Sequence, residues 1–306
     1  MKDRFCLVLL VFLLGISVAF AKNSNNQFIK VNGIPLRFKL FSLSAMPGDS
    51  LIFDQIPNPA NFQLYLADSL LKTDTTGKKI TWKVPLNPGI YEIIIRTGLN
   101  SNILKVMVMK PLVEIKNESS HFIVGDYPLA IYRSLNQYNI PEGMIEVTLE
   151  NRQTSVSEHF RLEDFLTRQQ AGFPQYVIIS PKLIFKLELL IEKMKSKGIH
   201  VENLHVMSGY RTPYYNGSIG NGKNSRHVYG DAADIYLDND RNMAMDDLNG
   251  DGKVDIKDVS QLASFIDEID AEAENAWLAG GIGIYKSNGS HRGFVHLDTR
   301  GFKVSW

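Results

Sequence analysis

The chain has 306 residues, which is enough for two domains with a sizeable core. Its 33 basic and 33 acidic residues give a formal net charge of zero, so composition gives no support for bulk binding to nucleic acid or to a membrane surface. Hydrophobic residues make up 44% and aromatic residues 10% of the chain, which is typical of a globular protein.

Residues 1–21 predict a secretory signal peptide. A basic start precedes an apolar run at 7–14, and Ala19-Phe20-Ala21 fits a small-x-small cleavage site. The run is short and polar sequence follows it, which favours a cleaved signal over the alternative, an uncleaved membrane anchor. The one cysteine, Cys6, lies here, so the mature protein would have no disulfide, cysteine ligand or cysteine nucleophile. We expect export to the periplasm, exterior or wall of a bacterium, with no membrane attachment after cleavage.

Residues 25–115 are rich in strand signals and predict an immunoglobulin-like β-sandwich. Short β-rich runs alternate with turn residues. The predicted strands are 28–31, 36–43, 50–53, 63–66, 79–84, 89–96 and 103–108. This domain is interpreted as a spacer or packing domain, with a wall- or glycan-binding module as the alternative. Residues 116–154 predict a connecting arm.

Residues 155–306 begin with helical patterns. Helices are predicted at 160–168, where Ser157 is a plausible N-cap, and at 182–197. The second has an apolar stripe at helical spacing, which predicts a face in the core, and Gly198 is its expected stop. A strand at 204–208 leads to Arg211, and the Gly/Asn-rich residues 214–224 predict a loop over a site.

Three side chains have the chemistry of a zinc site. His227 lies seven residues before Asp234, which is on a predicted strand at 232–237, and His296 is on a second predicted strand at 294–298. Alternation along a strand places Asp234 on one face with Ala232. Two imidazoles and one carboxylate form a three-ligand zinc set that leaves a fourth position for water, as catalysis requires.

Four segments resemble those of a known family. They are Ser208-Gly-Tyr-Arg-Thr-Pro213, Ser225-Arg-His-x-x-Gly-x-Ala-x-Asp234, Gly281-Ile-Gly-Ile-Tyr285 and Phe294-Val-His-Leu-Asp-Thr-Arg-Gly301. Their order resembles the zinc D-Ala-D-Ala peptidase family, which includes murein D,D-carboxypeptidases and endopeptidases, the vancomycin-resistance dipeptidases and the hedgehog fold. The resemblance covers 155–306 and implies an α+β domain on an antiparallel sheet, acting on peptidoglycan peptides. It implies that Arg211 holds the substrate carboxylate or orients the scissile carbonyl; a structural salt bridge is the alternative.

The general base is the point where the sequence departs from relatives. Several of them have a glutamate three residues before the last histidine ligand, and Gly293 occupies that position here. Two candidates remain for the proton transfer. His291 has a spacing that resembles the secreted carboxypeptidase branch, and Asp298 resembles the endopeptidase branch. Asp298 is alternatively a residue that orients His296. His291 is the favoured acid/base.

A second metal motif is predicted inside an insertion at 239–260. It resembles a dockerin-type or EF-hand calcium loop, with a glycine at position 6. Its predicted calcium ligands are Asp247, Asn249, Asp251, Lys253 (through its carbonyl), Asp255 and Asp258. Aspartate replaces the usual glutamate at position 12, and a helix is predicted to follow at 258–279.

The sequence therefore predicts an exported zinc peptidase, with Zn²⁺ and Ca²⁺ as cofactors, that hydrolyses amides next to D-amino acids in peptidoglycan stem peptides or cross-links. It leaves open whether this is carboxypeptidase or endopeptidase activity. The alternatives are a non-catalytic, metal-containing cell-wall binding protein on the same scaffold and a calcium-stabilised wall protein without zinc.

Overall fold

The structure, a computed structural model, describes residues 28–56, 62–66, 69–71, 79–98, 100–118, 121–128, 138–288 and 291–306. The predicted signal peptide, with Cys6, lies outside these residues. The described chain is mixed α+β with mainly antiparallel sheets, which confirms the fold class at that level. Among the described helices, none combines the length and the apolar character needed to cross a membrane.

Two sheets form in the first part of the chain. The strands are β1 (Lys30–Val31), β2 (Ile34–Pro35), β3 (Leu40–Ala45), β4 (Ser50–Asp54), β5 (Phe62–Leu66), β6 (Ser69–Leu70), β7 (Ile80–Lys83), β8 (Gly89–Thr97) and β9 (Asn100–Val108). Their orders are β2-β1-β4-β7 and β3-β9-β8-β5-β6, and β3 pairs with β9 in parallel. The rings of Phe53 on β4 and Phe62 on β5 lie 6.1 Å apart, so the two sheets share a buried face.

A small sheet follows, formed by β10 (Lys110–Pro111), β11 (Gly143–Val147) and β12 (Gln175–Val177), with α1 (Leu112–Glu118) after β10. The helix predicted at 160–168 is wrong, because only a 3-10 turn forms at Leu162–Phe165. The carbonyl of Phe165 accepts a hydrogen bond from the N–H of Tyr210, which ties this segment to the end of a strand instead of to a helix. Ser157 caps no helix.

The second five-stranded sheet has the order β13-β14-β16-β15-β17. Its strands are β13 (Leu204–Ser208), β14 (Ala232–Leu237), β15 (Gly281–Tyr285), β16 (Phe294–Asp298) and β17 (Val304–Ser305), and the helices around it are α2 (Pro181–Ser196), α3 (Pro213–Ser218) and α4 (Ile256–Ala271). Proline begins α2 and Gly198, at φ +80°, follows its end, as predicted. Helix α4 ends earlier than expected and a 3-10 turn, Ala273–Leu278, follows. Helix α3 occupies part of the predicted loop at 214–224, because the Thr212 hydroxyl caps it.

Helix α2 lies between the two halves of the chain. The Phe38 and Phe185 rings are 5.0 Å apart, and the Arg37 guanidinium is 2.5 Å from the Glu192 carboxylate. On its other side, Lys186 of α2 donates to the carbonyl of Asp298 on β16. The first sheets are therefore packed against the helix that supports the sheet carrying His296.

Candidate metal centre

His227 lies on a 3-10 turn, Arg226–Tyr229, which leads into β14. Its Nδ1 is 2.7 Å from the carbonyl oxygen of Gly209, at the end of β13. The turn closes at Gly230, where φ is +71° and an added Cβ would lie 2.2 Å from a neighbouring carbonyl oxygen. Only glycine fits this reversal, and the reversal aims the His227 imidazole across β14.

Asp234 and His296 lie opposite each other on adjacent strands. The antiparallel register of β14 and β16 pairs these two residues directly, so that their side chains lie side by side on one face of the sheet. Asp234 Oδ1 is 2.9 Å from His296 Nδ1 and 3.2 Å from His227 Nε2. The two imidazole nitrogens are 3.2 Å apart. All three predicted zinc ligands are thus brought together, and all are buried.

For each histidine, the contact on the far side of the imidazole indicates which ring nitrogen is available to bind a metal ion. A carbonyl oxygen only accepts, so His227 Nδ1 donates to Gly209 and Nε2 keeps its lone pair. His296 Nε2 lies 3.3 Å from a carboxylate oxygen of Asp298, so Nε2 can donate to Asp298 while Nδ1 offers its lone pair to a metal ion. Two imidazole nitrogens and a carboxylate oxygen therefore converge on one point, where they could hold a metal ion.

The spacing of the three atoms suits zinc. Bonds of about 2.0–2.1 Å in tetrahedral geometry place neighbouring ligand atoms about 3.3 Å apart. The three observed separations are 2.9, 3.2 and 3.2 Å. In histidines that bind zinc, the ring nitrogen that faces away from the metal usually donates a hydrogen bond to a carboxylate or a backbone carbonyl. The residues present therefore fit a zinc ion with three protein ligands.

Charge in this cluster is balanced by its neighbours. Burial opposes ionisation of Asp234, but His227 and His296 hold the pKa of its carboxyl well below the usual value. Burial lowers the pKa of His227. Burial acts in the same direction on His296, but hydrogen bonds to Asp234 and Asp298 outweigh it and raise the pKa of that imidazole. Arg211 NH2 lies 2.5 Å from Asp234 Oδ2, so the oxygen that faces away from the histidines is also paired.

A comparison with protein families decides the class of this domain. Residues 158–249 match the family model described as peptidase M15. This part of the chain resembles an M15 peptidase domain and is called the M15 domain. The family is zinc-dependent, which agrees with the geometry, and the resemblance to zinc D-Ala-D-Ala peptidases is confirmed. The match includes His227 and Asp234 and ends before His296, which the register of β14 and β16 adds to the site.

Other comparisons add little. None of the curated proteins matches the chain significantly. One similar solved structure is that of SGBP-B from the Bacteroides ovatus mixed-linkage glucan utilization locus, in complex with a mixed-linkage heptasaccharide. It has 15% sequence identity over 29% of this chain and 27% of that chain, with a TM-score of 0.18. The alignment thus spans about a quarter of the other chain.

Asp298 lies behind His296 in the M15 domain. Besides His296, its carboxylate accepts hydrogen bonds from the N–H of Gly281 and from Arg300, and its side chain is fully buried. Burial opposes its charge, but these partners depress the pKa of Asp298 far below its usual range. A carboxylate held in this way has little basicity, and its position is suited to orienting the His296 ring.

His291 is on the segment that joins β15 to β16 and lines the same cleft as the zinc ligands. Its Nδ1 is 2.9 Å from the Arg292 carbonyl oxygen, so Nε2 is the nitrogen that accepts, and it faces the Asn288 side-chain amide at 2.9 Å. Gly293, where several relatives have glutamate, packs against α4: an added Cβ would lie 2.8 Å from Cγ2 of Val259. The packing of α4 thus leaves no room for a side chain there.

The cleft has a volume of about 600 Å³. Arg211 lines the cleft. Its Nε donates to the Ser208 hydroxyl at 2.9 Å and its NH2 pairs with Asp234, so the salt bridge considered as an alternative is present.

Sequence reasoning missed Arg300 and Trp306, which also line the cleft. A signal for Trp306 was available, because two glycines two residues apart in a strand, Gly281 and Gly283, indicate a close approach by another group.

The predicted calcium loop precedes α4, and its side chains contact backbone amides. Asp247 Oδ2 accepts from the N–H of Gly252 at 2.7 Å, and Asp255 caps α4. Asp258 is buried, with Oδ1 accepting from Leu248 and Oδ2 from Asp255. Among the described residues, two groups of three potential ligand atoms from His, Asp, Glu or Cys lie within 4.8 Å of one another. One is the zinc set, and the other consists of Asp238, Asp240 and Asp246, which precede the loop. Calcium binding stays a prediction.

Proposed function

We propose that this protein is an exported zinc peptidase that hydrolyses amide bonds next to D-amino acids in peptidoglycan stem peptides or their cross-links. The observation that carries the proposal is the convergence of His227 Nε2, Asp234 Oδ1 and His296 Nδ1 beside an open cleft. Three protein ligands with adjacent free volume are typical of a catalytic zinc site, whereas structural sites use four ligands. The M15 match supports peptide hydrolysis as the chemistry.

Each protein group has a part in this chemistry. Zinc, when bound, supplies Lewis-acid activation of water and of the amide carbonyl. His227, Asp234 and His296 hold it, and Asp298 keeps the His296 ring oriented. Arg211 holds Asp234 in place, and its second terminal nitrogen is the donor we assign to the substrate carbonyl or carboxylate.

His291 is the residue we assign to proton transfer. It lines the cleft and its Nδ1 donates to a backbone carbonyl, which leaves Nε2 as the basic nitrogen. Histidine is the side chain that most often transfers protons as a general acid and base in enzymes. For this role, Nε2 must exchange its contact with Asn288 for the attacking water.

Mass spectrometry of muropeptide digests tests the proposal. Protein without residues 1–21 is loaded with zinc, and cleavage is compared among wild type, His227→Ala, His291→Ala and Asp298→Ala. The matched control is His200→Ala, because His200 is exposed and pairs with Glu202 outside the cleft. We expect cleavage by wild type and the control, and none by His227→Ala. Intact muropeptides after incubation with zinc-loaded wild type would refute the peptidase assignment.

A non-catalytic binding protein is the second candidate, and Gly293 is the observation that favours it. The glutamate of relatives is absent, and Val259 fills the space that its side chain would need. A binding protein would retain zinc and bind muropeptides without turnover. Isothermal titration with zinc-loaded protein, followed by analysis of the recovered ligand, separates binding from hydrolysis.

The first two sheets form the domain that we propose to be immunoglobulin-like. Their strands alternate buried and exposed residues, as in Phe62, Gln63 and Leu64 of β5, which is the pattern of a sandwich face. Its contact with α2 through Phe38 and Phe185 supports a packing role. Deletion of residues 22–108 should then lower the thermal stability of the M15 domain, and unchanged stability would favour an independent binding module.

Calcium in the 247–258 loop is a further part of the proposal. The spacing of oxygen ligands supports it, together with the glycine at position 6, Gly252, which has φ +81°. The loop aspartates must then turn from backbone amides to the ion. Isothermal titration of chelator-treated protein with calcium tests this, with Asp251→Ala as the variant and Asp267→Ala, on the exposed face of α4, as the control. Absence of a calcium-dependent heat would exclude the site.

A further inference from the structure

Trp306, the last residue of the sequence, forms part of the wall of the zinc cleft. Its indole centroid is 5.1 Å from the imidazole centroid of His296, and both rings line the cleft. The Trp306 side chain is 50% exposed, and it lines the cleft. Its open face is therefore directed at the space in which a substrate would lie.

The indole is held in a defined orientation. Its Nε1 donates to the hydroxyl of Tyr285 at 2.6 Å, and the Arg300 guanidinium lies 5.4 Å from the ring centroid. The backbone is fixed as well, because the N–H of Trp306 donates to Ile282 and its carbonyl accepts from Ile284. An aromatic group with a satisfied N–H and an exposed face offers apolar contact area at low cost in conformational entropy.

The sequence of β15 makes room for this ring. An added Cβ at Gly281 would lie 2.9 Å from Trp306, and one at Gly283 would lie 2.7 Å from its Nε1. Gly283 is also directly opposite His296 in the sheet. The two glycines therefore let the indole approach the strand closely, beside the imidazole of His296.

We propose that Trp306 is a substrate-contact residue, which packs its indole against the apolar side chain of the residue next to the scissile amide. The cleft supports this role because its arginines near the zinc ligands are already paired, Arg211 with Asp234 and Arg300 with Asp298. Trp306 is thus an exposed apolar surface beside His296 that a small aliphatic side chain, such as that of alanine, would contact. This inference rests on the proposed function for the identity of the substrate.

Steady-state kinetics and fluorescence test the inference with zinc-loaded full chains lacking residues 1–21. In Trp306→Ala, KM for purified muropeptides should rise about tenfold, while kcat stays within about twofold and zinc content is unchanged. Trp306→Phe, which keeps an aromatic face, should restore most of the affinity. Phe302→Ala is the matched control, because Phe302 is an exposed aromatic residue on the same segment outside the cleft. Reduced zinc content in Trp306→Ala would instead assign the indole to support of His296 and overturn the inference.

Intrinsic fluorescence separates failure of the inference from failure of the proposed function. The chain has three tryptophans, of which Trp82 and Trp277 lie outside the cleft. Muropeptide binding should change the emission of wild type and leave that of Trp306→Ala unchanged. If wild type binds with this change but cuts nothing, the contact stands and the peptidase proposal fails. If both proteins cut and bind equally, the inference fails and the peptidase proposal stands. If wild type neither binds nor cuts muropeptides, both fail.

Discussion

The carboxylate of Asp298 lies 3.3 Å from Nε2 of His296, on the side of the ring opposite Nδ1, which is 2.9 Å from Asp234. His296 is thereby held between two carboxylates, one that shares the zinc with it and one that fixes which nitrogen carries the proton. Arg300 binds the outer carboxylate and keeps it ionised.

This arrangement predicts a weaker zinc site in Asp298→Asn. The substitution keeps the shape of the side chain and removes the charge that favours the Nε2–H tautomer of His296, so zinc affinity should fall about 10- to 100-fold. Competition with a chromogenic chelator measures it. Asp231→Asn is the control, because Asp231 forms a comparable buried pair with Arg226 without touching a ligand. Equal zinc affinity in wild type and Asp298→Asn would show that the carboxylate does not set the tautomer.

The zinc ligands were predictable because strand alternation and spacing are local properties of the sequence. Residues 232–237 and 294–298 form strands as expected, and Asp234 and His296 project from one face. Their direct pairing depends on the register between two strands that are about 60 residues apart in the sequence, which local patterns do not specify. The motif thus predicted which residues are the ligands, and the register of β14 and β16 sets the distance between Asp234 and His296.

The misses share a physical cause. The apolar pattern at 160–168 is compatible with a helix. However, the carbonyl of Phe165 accepts a hydrogen bond from the Tyr210 N–H, and this long-range bond outweighs the local helix propensity. The contact of Trp306 with Gly283 likewise joins residues that are distant in sequence. Such contacts arise only when the strands of the sheet that carries Asp234 and His296 are assembled.

Gly293→Ala should be destabilising, because the added Cβ would lie 2.8 Å from the Val259 side chain. Overpacking of this kind costs about 1–3 kcal/mol. Thermal unfolding measures it, and the double variant Gly293→Ala with Val259→Ala should recover part of the loss since it restores the space. An unchanged melting temperature in Gly293→Ala would mean that α4 yields easily, and the explanation for the missing glutamate would then be wrong.

Zinc affinity should depend on pH through His296. Its hydrogen bonds to Asp234 and Asp298 raise its pKa in the metal-free protein despite burial, so a proton competes with zinc at pH values below that raised pKa. The protonated ring cannot bind the metal, so the affinity should fall about tenfold for each unit of pH below the pKa and level off above it. Isothermal titration with zinc between about pH 8 and about pH 5.5 covers the range in which an imidazole titrates. A constant affinity over this range would contradict the competition.

The buried pair of Lys186 and Asp270 should be essential for stability. The Lys186 ammonium is 2.8 Å from the Asp270 carboxylate and also donates to the carbonyls of Leu278 and Asp298, which joins α2 and α4 to the strand of His296. Burial lowers the pKa of Lys186 and raises that of Asp270, so each charge depends on the other. Lys186→Met should cost about 3–5 kcal/mol because it leaves Asp270 unpaired, and Lys186→Met with Asp270→Leu should cost less. Urea unfolding measures both of them and Asp270→Leu alone. If the double variant loses as much as the sum of the single ones, the two charges do not interact.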